Sequence, residues 1–137
     1  MNDCIIGIGS NIEADKNIPE MLRLLAEKVE IVQLSELVQT KPIGIIEQAD
    51  YINGAVLIRT EMNFESLSLH LKKLEDRMGR DRSQKKFGPR NIDLDILIWN
   101  NVVVDQDYYT RSFLRNSAAE LGFEKKIKQE NTHHETD

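Results

Sequence analysis

Gly88-Pro89-Arg90-Asn91-Ile92-Asp93-Leu94-Asp95-Ile96-Leu97-Ile98-Trp99 is the stretch on which the fold turns. Its first four residues break regular structure, and the rest alternates. Ile92, Leu94, Ile96 and Ile98 share one face of an extended chain; Asp93, Asp95, Leu97 and Trp99 share the other. The pattern predicts a strand over residues 92–99. Just upstream, residues 79–91 hold almost nothing apolar except Phe87 and read as a long loop. Before that, Phe64, Leu67, Leu71, Leu74 and Met78 recur three or four apart, predicting an amphipathic helix over residues 64–78 that ends at Gly79.

Further out, residues 51–60 (Tyr51, Ile52, Ala55, Val56, Leu57, Ile58) read as a strand, and residues 41–50, with Pro42-Ile43-Gly44, as a loop. Residues 30–40 read as one strand of imperfect alternation. Residues 18–29 read as a helix, with Asn17 as its cap and Pro19 in its first turn. Residues 3–8 are a short β-branched strand that stops at Gly9-Ser10-Asn11, whose backbone amides could receive a ligand edge, although by itself it is an ordinary turn. Beyond residue 99, residues 102–104 suit a short hairpin arm and residues 112–123 a weak helix. The order β-α-β-β-α-β is that of a ferredoxin-like α+β sandwich: a mostly antiparallel sheet with both helices packed on one face. One domain over residues 1–123 and a polar, disordered tail over 124–137 are expected.

The 137 residues are 40% apolar and 30% charged, which suits one ordinary globular core. The single cysteine, Cys4, excludes an intrachain disulfide and a cysteine-based zinc site. There is no apolar run of about 18 residues and no leader pattern at Met1, so a cytoplasmic protein with no membrane partner is expected. The net charge of -5 argues against nucleic acid as a general partner.

Within this acidic chain the loop before the decisive strand concentrates Arg80, Arg82, Lys85, Lys86 and Arg90 against Asp81 alone. Such a cluster suits a small polyanion such as a nucleotide triphosphate, although a solvated basic loop would look the same. Asp93 and Asp95 point to one strand face, roughly 7 Å apart along the chain. Two like charges so close invite a hard cation, Mg²⁺ held with substrate phosphates. A merely wet strand face is the bland alternative, and the adjacent cationic loop favours the metal. Asn53 shares a face with Tyr51, and an inward amide suits the amide-like edges of a heterocycle. Glu75 lies on the same helical face as Leu71 and Met78, an uncomfortable place for a carboxylate. No Walker A, GxGxxG, GxSxG or HExxH pattern is present.

Ile8-Gly9-Ser10-Asn11, Thr40-Lys41-Pro42-Ile43-Gly44, Asp50-Tyr51-Ile52-Asn53-Gly54-Ala55 and the run from Gly79-Arg80 through Gly88-Pro89-Arg90-Asn91-Ile92-Asp93-Leu94-Asp95-Ile96-Leu97 together resemble the 6-hydroxymethyl-7,8-dihydropterin pyrophosphokinase family, over residues 5–99. The resemblance implies a ferredoxin-like fold. It implies transfer of pyrophosphate from ATP to the hydroxymethyl of the pterin in folate biosynthesis, giving AMP and the pterin diphosphate. It implies two Mg²⁺ ions on Asp93 and Asp95. It places Thr40, Ile43, Tyr51, Asn53 and Phe87 around the pterin. It places Arg80, Arg82 and Arg90 as catalytic arginines on the phosphates, with Lys72, Glu75 and Arg111 also on the ATP side. Phe87 stands where the family often has tryptophan, and Lys72 where it often has glutamine. Residues 102–113 are compressed and lack the family's Pro-His segment. ATP and a hydroxymethyl dihydropterin are the partners this implies, and a monomer is expected. The alternative is a diverged paralogue that binds pterin or nucleotide without turnover. A ferredoxin-like module reading single-stranded RNA fits less well, because the sheet face lacks paired aromatics.

Overall fold

The computed structural model describes residues 1–42, 48–79 and 89–123. In chain order the elements are β1 (Asn2–Ser10), α1 (Ala14–Leu25), β2 (Glu30–Leu34), β3 (Val38–Thr40), β4 (Tyr51–Thr60), α2 (Phe64–Arg77), β5 (Asp93–Trp99), β6 (Val102–Val103), α3 (Asp107–Thr110) and α4 (Ser112–Glu120). β1 is buried from Cys4 to Ser10, as its unbroken apolar run requires, and a strand hidden on both faces belongs inside a sheet. It runs antiparallel to both β4 and β5. The sheet order is β2-β4-β1-β5-β6, with β3 also beside β4. All of these pairings are antiparallel. With α1 and α2 on one face, this is the α+β ferredoxin-like arrangement.

The face under α1 and α2 is closed by Ile6, Ile8, Met21, Leu25, Ile58 and Leu67, all at most 2% exposed. Asn63 caps α2, its side chain accepting from the Ser66 amide at 2.8 Å. At the other end Gly79 takes φ 97°, and the Asn91 side chain donates to the Met78 carbonyl at 2.8 Å. That contact pins the end of α2 to the segment entering β5.

The opposite face carries a second core. Ile5, Ala55, Leu97 and Ile98 meet Tyr108, Leu114, Ala118, Leu121 and Phe123 from α3, α4 and the turn after them. The sequence pattern shows only a weak helix here, and α3 is not anticipated. Simple alternation also places Ile98 with Leu94 and Ile96, and Trp99 with Asp95. The structure exchanges the two. Ile5 pairs with Ile98 and Ile6 with Ile96, so β5 carries one extra residue at a β-bulge. Ile98 therefore joins the second core, while Trp99 packs toward α2, edge-on to Phe64 at 5.6 Å.

Two other boundaries move. The single strand expected over residues 30–40 is two strands, because the chain kinks at residues 35–37. Ser35 bridges the break: its amide donates to the Ala55 carbonyl, and its hydroxyl accepts from the Ala55 amide, both at 2.9 Å. Gly54 makes room, since a Cβ there would lie 2.7 Å from Leu37 Cδ2. α1 starts at Ala14, about a turn before the expected cap. Asn17 is inside the helix, and its side chain donates back to the Ile12 carbonyl at 2.6 Å.

Candidate active site

The second core covers only part of its sheet face. At the end where β1 finishes, Asn53, Gly9 and Asp93 lie side by side across β4, β1 and β5; the next row on that face is Ala55, Gly7 and Asp95. The period-2 alternation brings these rows to one side, away from α1 and α2. Gly7 and Gly9 leave a trough between the flanking side chains. A Cβ at Gly9 would come within 2.9 Å of Asn53 Oδ1, and one at Gly7 within 3.2 Å of Leu97 Cδ1. The resulting concavity is lined by Gly9, Asn53, Asp93, Asp95, Asp107 and Arg111, with Phe113 and Leu114 at its wall.

Asp95 offers exposed surface, yet protein atoms crowd it inside this concavity. It is thus reachable by a ligand and poorly hydrated at once. That desolvation, followed by the charges of Asp93, Asp105, Glu75 and Asp107, pushes its carboxyl up to about 7. A divalent cation would relieve both causes. Hard carboxylate oxygens on one strand face are the donors Mg²⁺ takes, so Asp93 and Asp95 fit such an ion.

Glu75 is 5% exposed, and its Oε2 accepts from the Leu94 amide at 2.8 Å. β6 pairs with Ile98 and Trp99 at the far end of β5, and here Glu75 supplies the acceptor for the strand's backbone. The carboxylate thus holds the backbone between the two aspartates. Lys72, one turn earlier on α2, is exposed. Neither residue lines the concavity. Arg90 is 5% exposed; its guanidinium donates to the Pro89 carbonyl at 3.0 Å. Arg111 reaches the concavity, 3.6 Å from Asp107. On the other side Thr40 pairs with Tyr51 across β3 and β4, and the Asn53 amide donates to the Thr40 hydroxyl. Tyr51 and Asn53 are both half-buried. Ile43, Arg80, Arg82 and Phe87 lie outside the described residues.

Asp93, Asp95, Asn53 and Arg111 are therefore brought together, with Thr40 held behind Asn53. Sequence reasoning missed Asp107 and Gly7, and saw in Gly9 a turn residue rather than a spacer. Asp107 sits four residues before Arg111, a helical spacing that pairs opposite charges, and Gly7-Ile8-Gly9 alternates in step with Asp93-Leu94-Asp95.

Residues 5–122 match the protein-family model described as 7,8-dihydro-6-hydroxymethylpterin-pyrophosphokinase (HPPK). The chain belongs to this family. A 2-amino-4-hydroxy-6-hydroxymethyldihydropteridine pyrophosphokinase of Bacillus subtilis is 32% identical over 148 residues, covering 99% of this chain and 86% of the relative. One from Aquifex aeolicus is 32% identical over 100 residues, 72% of this chain and 62% of its own length. A folate synthesis bifunctional protein of Arabidopsis thaliana is 32% identical over 107 residues, 77% of this chain but 22% of that longer protein. The match to the pyrophosphokinase family thus extends past β5 through the compressed segment and α4, beyond the reach of the motifs themselves.

Proposed function

We propose that this chain transfers pyrophosphate from ATP to the hydroxymethyl of 6-hydroxymethyl-7,8-dihydropterin, releasing AMP. The observation that carries the reading is the adjacency of Asn53 to Asp93 across Gly9 in a family of pyrophosphokinases. An amide suited to a heterocycle and a carboxylate suited to a metal–phosphate group stand in one row on the two strands that flank β1. Transfer of this kind asks a protein mainly for positioning and charge neutralisation.

Asp93 and Asp95 would hold Mg²⁺, two ions by the family's pattern; bound there, it neutralises phosphate charge and lowers the pKa of the attacking hydroxyl. Arg111 adds a fork for phosphate oxygens, and Asp107 keeps it at the rim until they arrive. Asn53, buttressed by Thr40, orients the acceptor, with Tyr51 beside it. Phe113 and Leu114 form an apolar wall that limits water, which would compete as acceptor. The remaining assignments, Ile43 and Phe87 to the pterin and Lys72, Glu75, Arg80, Arg82 and Arg90 to the phosphate side, belong to the same proposal. So do a monomeric state and a cytoplasmic location. No helix among the described residues is long and apolar enough to cross a membrane.

The non-turnover alternative finds no support in the concavity. Without a Pro-His segment, residues 102–113 still bring Arg111 to it. AMP release from Mg²⁺-ATP is the test, with and without the pterin. AMP formed only when both pterin and Mg²⁺ are present is the expected result; none at any Mg²⁺ concentration overturns the proposal.

A further inference from the structure

The turn after β1, unremarkable as sequence, is the junction of the site. Asn11 uses its whole side-chain amide. Its Nδ2 donates to Gln48 Oε1 at 2.8 Å and to the Ala49 carbonyl at 2.9 Å, and its Oδ1 accepts from the Arg90 amide at 2.9 Å. Its own backbone amide donates to the Arg90 carbonyl at 3.1 Å. The turn that presents it is itself anchored. Ser10, with no exposed surface, donates from its hydroxyl to the Ile12 carbonyl at 3.2 Å, and the Asn17 side chain donates to that same oxygen.

Residues 48–49 lead directly into β4, which carries Tyr51 and Asn53. Arg90 leads into β5, which carries Asp93 and Asp95. One amide therefore ties the entrances of both strands to the end of β1. Two residues earlier, Gly9 is the position that Asn53 and Asp93 flank. The backbone ladder sets the strand spacing as far as its last pairs, Gly9 with Asp93 and Ser10 with Ile52, and just beyond them the Asn11 contacts hold both strand entrances to the end of β1.

We infer that Asn11 is a positioning residue that holds the end of this ladder together, and with it the placement of the acceptor wall (Tyr51, Asn53) against the aspartates (Asp93, Asp95). The inference rests on the pyrophosphokinase reading for its catalytic consequence. Misplacement by about 1 Å between donor and acceptor costs roughly a hundredfold in rate without requiring a comparable loss of binding.

The experiment compares wild type with Asn11→Ala in two arms. In steady-state AMP release, kcat should fall at least about tenfold while KM for ATP and for pterin each change less than about threefold. In the ligand-free protein, amide resonances of Asn53, Asp93 and Asp95, which are not among the hydrogen-bond partners of Asn11, should shift in amide NMR spectra. Asn11→Asp keeps the acceptor for the Arg90 amide and loses both donations, so its shifts should appear at Asn53 and not at Asp93. It also serves if Asn11→Ala does not fold. A kcat within about threefold of wild type, a loss carried wholly by KM, or shifts confined to residues 48–49 and 90 would each overturn the inference. If wild type itself forms no AMP, the pyrophosphokinase reading falls, and the NMR arm decides the positioning role alone.

Discussion

On the proposed reading, Asp95 is a residue costly to the fold and needed at the site. Its folded pKa of about 7 lies above the ordinary aspartate value near 4. Between these values the folded chain keeps a proton that the unfolded chain has lost. This group's contribution to stability therefore falls as pH rises from about 4 to 7 and stays at its minimum above that. Asp95→Asn removes the penalty together with the proposed metal ligand. In EDTA at pH 8 the variant should melt above wild type, with the gap closing toward pH 4, while AMP release drops to background. Circular-dichroism melts across that pH range and the AMP assay check both. A variant that melts below wild type at pH 8 would contradict the account. Asp93 and Asp95 were legible in the sequence because their spacing is local. The four carboxylates acting on Asp95 were not legible as a set, since Glu75, Asp105 and Asp107 arrive from α2 and from beyond β6.

Elements were legible wherever one periodicity rules. β1, β4 and α2 fall close to their expected places because their apolar residues repeat without interruption. The failures fall where tertiary pairing overrides the pattern: the bulge that exchanges Ile98 and Trp99, and the kink at residues 35–37. The brace between α2 and β5 belongs at this scale too. Glu75 accepts from the Leu94 amide, away from the end of β5 that pairs with β6. A buried hydrogen bond to a charged group contributes roughly 1.5–3 kcal/mol. Glu75→Ala should lose about that much stability in urea unfolding and lower AMP release more than the lost stability alone explains, because the strand between the aspartates loosens. Unchanged urea stability would show that the brace does not operate. A glutamate among Leu71 and Met78 was visible as an oddity in the sequence; its partner, a backbone amide nineteen residues away, was not.

At the scale of the whole molecule, the sheet is a partition with different work on each side. The α1–α2 side is a continuous core. The other side carries the second core and, beside it, the concavity, and that core is built by α3, α4 and the turn after them. Leu114 stands at the boundary: it is 6% exposed, packs with Ala118 and Phe123, and lines the concavity. Leu114→Ala should cost about 2–5 kcal/mol in urea unfolding and raise KM for ATP, because α4 follows directly on Arg111. A loss below about 1 kcal/mol would mean that α3 and α4 are not integral to the fold. The sequence by itself determined the βαββαβ order apart from the split of its second strand, the paired aspartates and the family, because strand alternation, helical spacing and contiguous motifs are all local properties of the chain. Only the tertiary structure decided that Asn53 and Asp93 flank Gly9 of β1, that α3 and α4 cover part of the second face, and that Asn11 ties both strand entrances together. Each of those depends on register between segments dozens of residues apart, which no local pattern encodes.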